Sequence, residues 1–99
     1  MNEQELEQHL NEKGLNAPRL SPEFINKTIK WAQYYVFPET TLTVCCLTLN
    51  NGFNVTGTSA TASIEYFDKE VGQDIAFKNA RDKVWELECY LLKEKLSKR

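Results

Sequence analysis

Histidine is almost missing from this 99-residue chain: His9 is the only one, so a nucleophile has no nearby partner to act as its base. Cysteine is scarce as well. Cys45, Cys46 and Cys89 make an odd count in a chain with no export signal, which fits reduced thiols. Three cysteines and one distant histidine supply too few ligands for a structural metal, and no cofactor is implied. With 4 glycines and 3 prolines there is no Gly-rich phosphate loop, and Asn51-Gly52 stands between strand-like runs instead. No apolar run approaches the ~18 residues that span a bilayer, and the start MNEQELEQHLNEK is polar where a signal peptide is apolar. A soluble, cytosolic protein is expected. The balance of 12 basic and 14 acidic residues lacks the bias that draws a protein to nucleic acid or anionic lipid. An enzyme is not expected.

Leu42 to Ser59, LTVCCLTLNNGFNVTGTS, combines alternation, β-branched residues and a turn signal. A type I′ turn at Asn51-Gly52, with Asn50 facing Phe53, predicts a core face of Leu42, Val44, Cys46, Phe53 and Val55. Thr43, Cys45, Asn54, Thr56 and Thr58 then lie on the other face, where Leu47 and Leu49 need a cover. Because Cys45 and Cys46 point oppositely, one is expected in the core and one nearer solvent. A lone hairpin is marginal, so it requires a third strand, a helix or a second copy.

Glu3 to Lys13 reads as a surface helix with a stop at Gly14, followed by a linker over Asn16–Arg19. Ser21-Pro22 supplies an N-cap and a proline at the first helical position. The spacing of Phe24, Ile25, Thr28, Ile29, Trp31 and Ala32 predicts a helix from Pro22 to about Gln33. Tyr34–Phe37, closed by Pro38, suits an edge strand, and Gly57–Ser63 reads as a loop or fading strand end. Asp68 is placed to cap a helix running to about Leu96. Its apolar residues divide between one stripe through Val71, Ile75, Phe77, Ala80, Val84, Leu87 and Leu91 and another through Trp85, Cys89, Leu92 and Leu96. At ~1.5 Å per residue that helix is ~42 Å long, so it must kink near Trp85 or project toward a second subunit. The expected fold class is α+β: a small antiparallel sheet of a hairpin and a short edge strand, with N-terminal helices and a long or kinked C-terminal helix. Residues 1–20 form the arm, and residues 21–99 form one domain.

Binding is the chemistry these residues best suit. Phe67, Phe77, Asn79, Arg81 and Lys83 lie on or beside the last helix, where Phe77, Lys78 and Arg81 share part of a face. They offer a stacking plane, an amide for base edges and cations for phosphate. The same spacing also fits Phe77 as core with the charges as surface pairs.

TLTVCCLTLNNGFNVTGTSA followed by FDKEVGQDIAFKNARDKVWELECYLLKEKL resembles a family of small tailed-phage proteins, the gene 49 and gene 66 products, over about Ser21 to Leu96. The strand-NGF-strand hairpin carries the likeness, with Phe67-Asp68 ahead of Gly72, Ile75-Ala76, Asn79-Ala80, Trp85, Leu87 and Tyr90-Leu91-Leu92. That family is similar to the Thoeris anti-defence sponge proteins, which sequester cyclic ADP-ribose signals without cleaving them. The resemblance implies homo-oligomers joined through the C-terminal helices, with ligand near the subunit interfaces, acting in the host bacterial cytoplasm. Phe67 or Phe77 would stack on a base, Asn79 would read polar edges, and Arg81 with Lys83 would neutralise phosphate. This chain departs from its relatives at Thr61, where a cysteine is common, and at Ile64 and Tyr66, where Pro and Asn are common. Glu86 and Cys89 replace a Pro and a Gly, which favours an unbroken helix. The alternative is a host-takeover or accessory protein that binds another protein through a Leu47/Leu49 patch or the Trp85 stripe.

Overall fold

The computed structural model describes residues 2–6 and 20–98. His9, Gly14 and the linker at 16–19 lie outside them. Residues 3–6 form a helical turn, started by Asn2, whose Oδ1 accepts from the Glu5 N–H at 2.8 Å. Ser21 caps helix α1, Pro22–Thr28, by accepting from the Phe24 N–H at 3.1 Å. The helix stops well short of Gln33. Strand β1 takes over at Ile29 and runs to Val36, so the helix expected over 22–33 is corrected to a helix and a strand. Apolar spacing in Ile29–Gln33 fits a helix, yet its β-branched and aromatic residues gain a full ladder against the next strand, and helix propensity is too weak to compete.

Strands β2, Thr43–Leu49, and β3, Asn54–Ser59, complete an antiparallel sheet of order β1-β2-β3. The hairpin between them turns in a way the sequence did not anticipate. Leu49 pairs with Phe53 through its N–H at 2.8 Å, and the Gly52 N–H donates to the Leu49 carbonyl at 2.9 Å. Gly52 alone in the loop has positive φ, at 89°. This is a three-residue loop, a type I turn closed by a left-handed residue, because Asn51 stays on the negative-φ side and caps the turn through its side chain. The register shifts by one residue, with Leu47 opposite Val55, and reverses the faces of β2. Thr43, Cys45, Leu47 and Leu49 are therefore core, while Val44 and Cys46 turn outward and Phe53 is exposed. Of the expected core face, only Val55 is buried. Leu47 and Leu49 cannot form a surface patch.

Asp68 starts helix α2, Lys69–Ser97, its carboxylate accepting from the Glu70 and Val71 N–H groups at 3.0 and 3.1 Å. The helix is continuous through Trp85. It packs across the sheet on Ala76, Ala80 and Val84, all fully buried, over Ile25, Cys45, Leu47 and Val55. Val71, Ile75, Leu87 and Leu91 of the expected stripe are exposed. The reason is Gly57 of β3, which lets the helix backbone settle directly on the strand at Ala76 and Ala80. Small residues thus choose the face, and the larger ones rotate away.

Thr43 is buried with its hydroxyl unpartnered, close to Gly72. Thr43→Val keeps the shape and removes that polar atom, so it is expected to raise stability by about 1 kcal/mol in urea unfolding.

Candidate functional site

Two flanks of α2 carry the residues singled out from the sequence. Across its outer face and the helical turn at residues 3–6 runs an open trough of ≈ 940 Å³, bordered by Asn26, Asp74, Phe77, Lys78, Asn79, Arg81 and Asp82. Phe77, Asn79 and Arg81 are therefore brought together. Lys83 is exposed and does not line the trough, and Phe67 sits elsewhere, in a cleft of ≈ 50 Å³ at the start of α2 beside Thr41, Ser59 and Ile75.

Phe77, Asn79 and Arg81 already have local roles. Phe77 is half-buried against the core. The Asn79 amide donates to the Thr58 carbonyl at 2.8 Å, tying the helix to strand β3. Arg81 spreads its guanidinium over three partners: Nε donates to Asn26 Oδ1 at 2.9 Å, Nη2 to the Pro22 carbonyl at 3.3 Å, and Nη1 to the Glu3 carboxylate. Its guanidinium carbon also lies 5.9 Å from the centre of the Trp85 ring. The ion pair is asymmetric, since Arg81 is 12% exposed and Glu3 48%. Sequence spacing identified Arg81 beside Phe77. It could not identify Asn26 and Glu3, which reach the site only through the fold.

The trough holds Lys78 and Arg81 against Glu3, Asp74 and Asp82, so its acids outnumber its cations by one. An anion would gain from Arg81 only by displacing Glu3. On the other side of α2, burial pushes the Cys45 thiol up, with a hydrogen bond from Tyr34 opposing in part. Burial also raises the Tyr34 hydroxyl, reinforced by Cys45. Both therefore stay neutral at physiological pH. Cys45 is buried, Cys46 half-buried and Cys89 exposed, all free; the adjacent pair splits between core and surface, but with its expected members exchanged. Among the described residues there is no metal-ligating cluster and no helix long and apolar enough to cross a membrane. No curated protein and no solved structure matches the chain. The hairpin and the Phe67-Asp68 helix start both fall within residues 20–96, which match the Phage protein (N4 Gp49/phage Sf6 gene 66) family, and the chain belongs to that family.

Proposed function

We propose that this phage-family protein captures a small cyclic nucleotide, a cyclic ADP-ribose isomer or cyclic oligonucleotide, and holds it uncleaved in the host cytoplasm, so blunting a bacterial immune signal. The observation that carries this reading is the trough itself. It places an aromatic ring, a preset guanidinium and a lysine around a space within the usual size range of small-molecule sites. Phe77 offers a plane for the base, and Arg81 with Lys78 offers the phosphate contacts. Asn79 can read a polar edge only by releasing Thr58, and Phe67 and Lys83 would need a second copy or another part of the ligand. The resemblance to sponge proteins points the same way. The competing reading, a protein-binding accessory factor, loses Leu47 and Leu49 as its contact because both are core.

Glu3 occupies Arg81 where a phosphate would sit. Calorimetric titration with cyclic ADP-ribose isomers and cyclic dinucleotides is expected to give saturable heat, with the ligand recovered intact by chromatography. Glu3→Gln is expected to tighten binding about 5-fold, the equivalent of about 1 kcal/mol for one competing exposed ion pair. Absence of heat at micromolar concentrations, or recovery of cleaved product, would discard the proposal.

A further inference from the structure

Strand β1 has one side unused. The Phe37 N–H donates inward to the Leu42 carbonyl, and the Asn50 N–H reaches back to the Thr28 carbonyl, which fixes the alternation along the strand on either side of its bulge. Trp31, Gln33 and Tyr35 direct their backbone groups to β2. Ala32, Tyr34 and Val36 therefore direct theirs outward. Among the described residues nothing pairs with them, and an open depression of ≈ 630 Å³ runs along this edge past Ala32, Gln33, Tyr34, Tyr35 and Gln73.

The usual guards against pairing, here a lysine and a bulge, are confined to one end of the edge. It is 8 residues long, has no proline before Pro38, and bears a single charge, Lys30, at the bulge. Trp31 and Tyr35 are 52% and 55% exposed on the face of the sheet away from α2. A strand so aromatic and so nearly neutral, in a chain where 26% of residues are charged, suits a partner of the same composition.

We infer that β1 pairs antiparallel with β1 of a second copy of this chain, joining the two sheets into one across a two-fold axis at Tyr34. Self-complementarity selects both the partner and the register. Centred on Tyr34, Ala32 meets Val36 of the other copy and Tyr34 meets itself, so the outward groups of all three find partners, and only Lys30, at the bulge, falls opposite Pro38. Centring on Gln33 sets Val36 against the bulge at Lys30, and centring on Tyr35 sets Ala32 against Pro38, which has no N–H to give. The Tyr34 register also brings Trp31 across from Phe37, and Gln33 across from Tyr35, on the open face. Phe37 already packs edge-on to Tyr35 at 4.8 Å, so the seam gains a continuous aromatic row. This assembly uses a different surface from the C-terminal helices and does not depend on ligand capture.

Charge exchange across the seam tests it. Gln33 and Tyr35 are both exposed, so a Gln33→Lys/Tyr35→Lys chain and a Gln33→Glu/Tyr35→Glu chain keep the subunit fold, checked by circular dichroism. In sedimentation equilibrium the wild-type chain is expected at twice its 11.5 kDa mass, each charged chain alone at 11.5 kDa, and their mixture back at twice that mass. Tyr34→Pro, which removes an outward N–H not used within the subunit, is expected to give monomer as well. A monomeric wild type overturns the inference. So does a dimer that survives in both charged chains, or a mixture that remains monomeric.

Discussion

Gly57→Ala is expected to cost more than about 3 kcal/mol, the severe end of overpacking, in a protein whose total stability should be about 5–15 kcal/mol. The added Cβ would lie 2.2 Å from the Ala80 nitrogen and 2.3 Å from the Ala76 carbonyl oxygen. Those are helix backbone atoms, so no side-chain rotation relieves the clash. Either α2 lifts off β3, opening voids around Ala76, Ala80 and Val84, or the strand is pushed out of the sheet. A loss of that size lowers the melting temperature by roughly 12–24 °C in a domain of this length, read by circular dichroism. Gly52→Ala is the matched control. Nothing lies within 4 Å of its added Cβ, and only its φ of 89° resists, so about 1 kcal/mol is expected. A Gly57→Ala protein that melts like wild type would mean the helix does not rest on that strand.

Gly57 also explains why the sequence told less than it contained. Ser21-Pro22 and Asp68 were readable because a cap is settled within three residues of itself. The α+β class and the three strands followed from composition and alternation. The core face did not, because one turn residue decides it: Asn51 tolerates positive φ but does not adopt it, and the resulting slip swaps Val44 and Cys46 for Cys45 and Leu47. The helix face was hidden for a related reason. Hydrophobicity favours Val71, Ile75, Leu87 and Leu91, whereas the contact is chosen by a glycine on a strand and two alanines on a helix, a fit with no periodic signal. Ile29–Gln33 could satisfy either pattern, and only the neighbouring strand resolved it. At the site, Phe77 and Arg81 are one helical turn apart and legible together, but Asn26, 55 positions from Arg81, enters only with the tertiary structure.

Arg81→Ala is expected to destabilise the protein by about 1–3 kcal/mol, because Arg81 is a latch before it is anything else. Removing it deletes a hydrogen bond to the exposed Asn26, which can turn to water, and one to the part-buried Pro22 carbonyl, and strips a side chain from the Trp85 ring. Its ion pair with Glu3 is the smallest part, since Glu3 is half in water and solvent screens the pair. A double-mutant cycle of Arg81→Ala with Glu3→Gln should therefore assign under about 1 kcal/mol to that contact. Arg81→Lys separates the two roles. An ammonium keeps the charge but cannot span Asn26, Pro22 and Glu3 as a planar fork does, so less than half of the lost stability should return. Below its melting transition the Arg81→Lys protein remains folded, and there nucleotide affinity can be read independently: capture through the guanidinium requires a loss of about 10-fold, the equivalent of about 1.4 kcal/mol. Unchanged affinity in that folded variant would leave Arg81 a structural clamp and move the phosphate contact to Lys78.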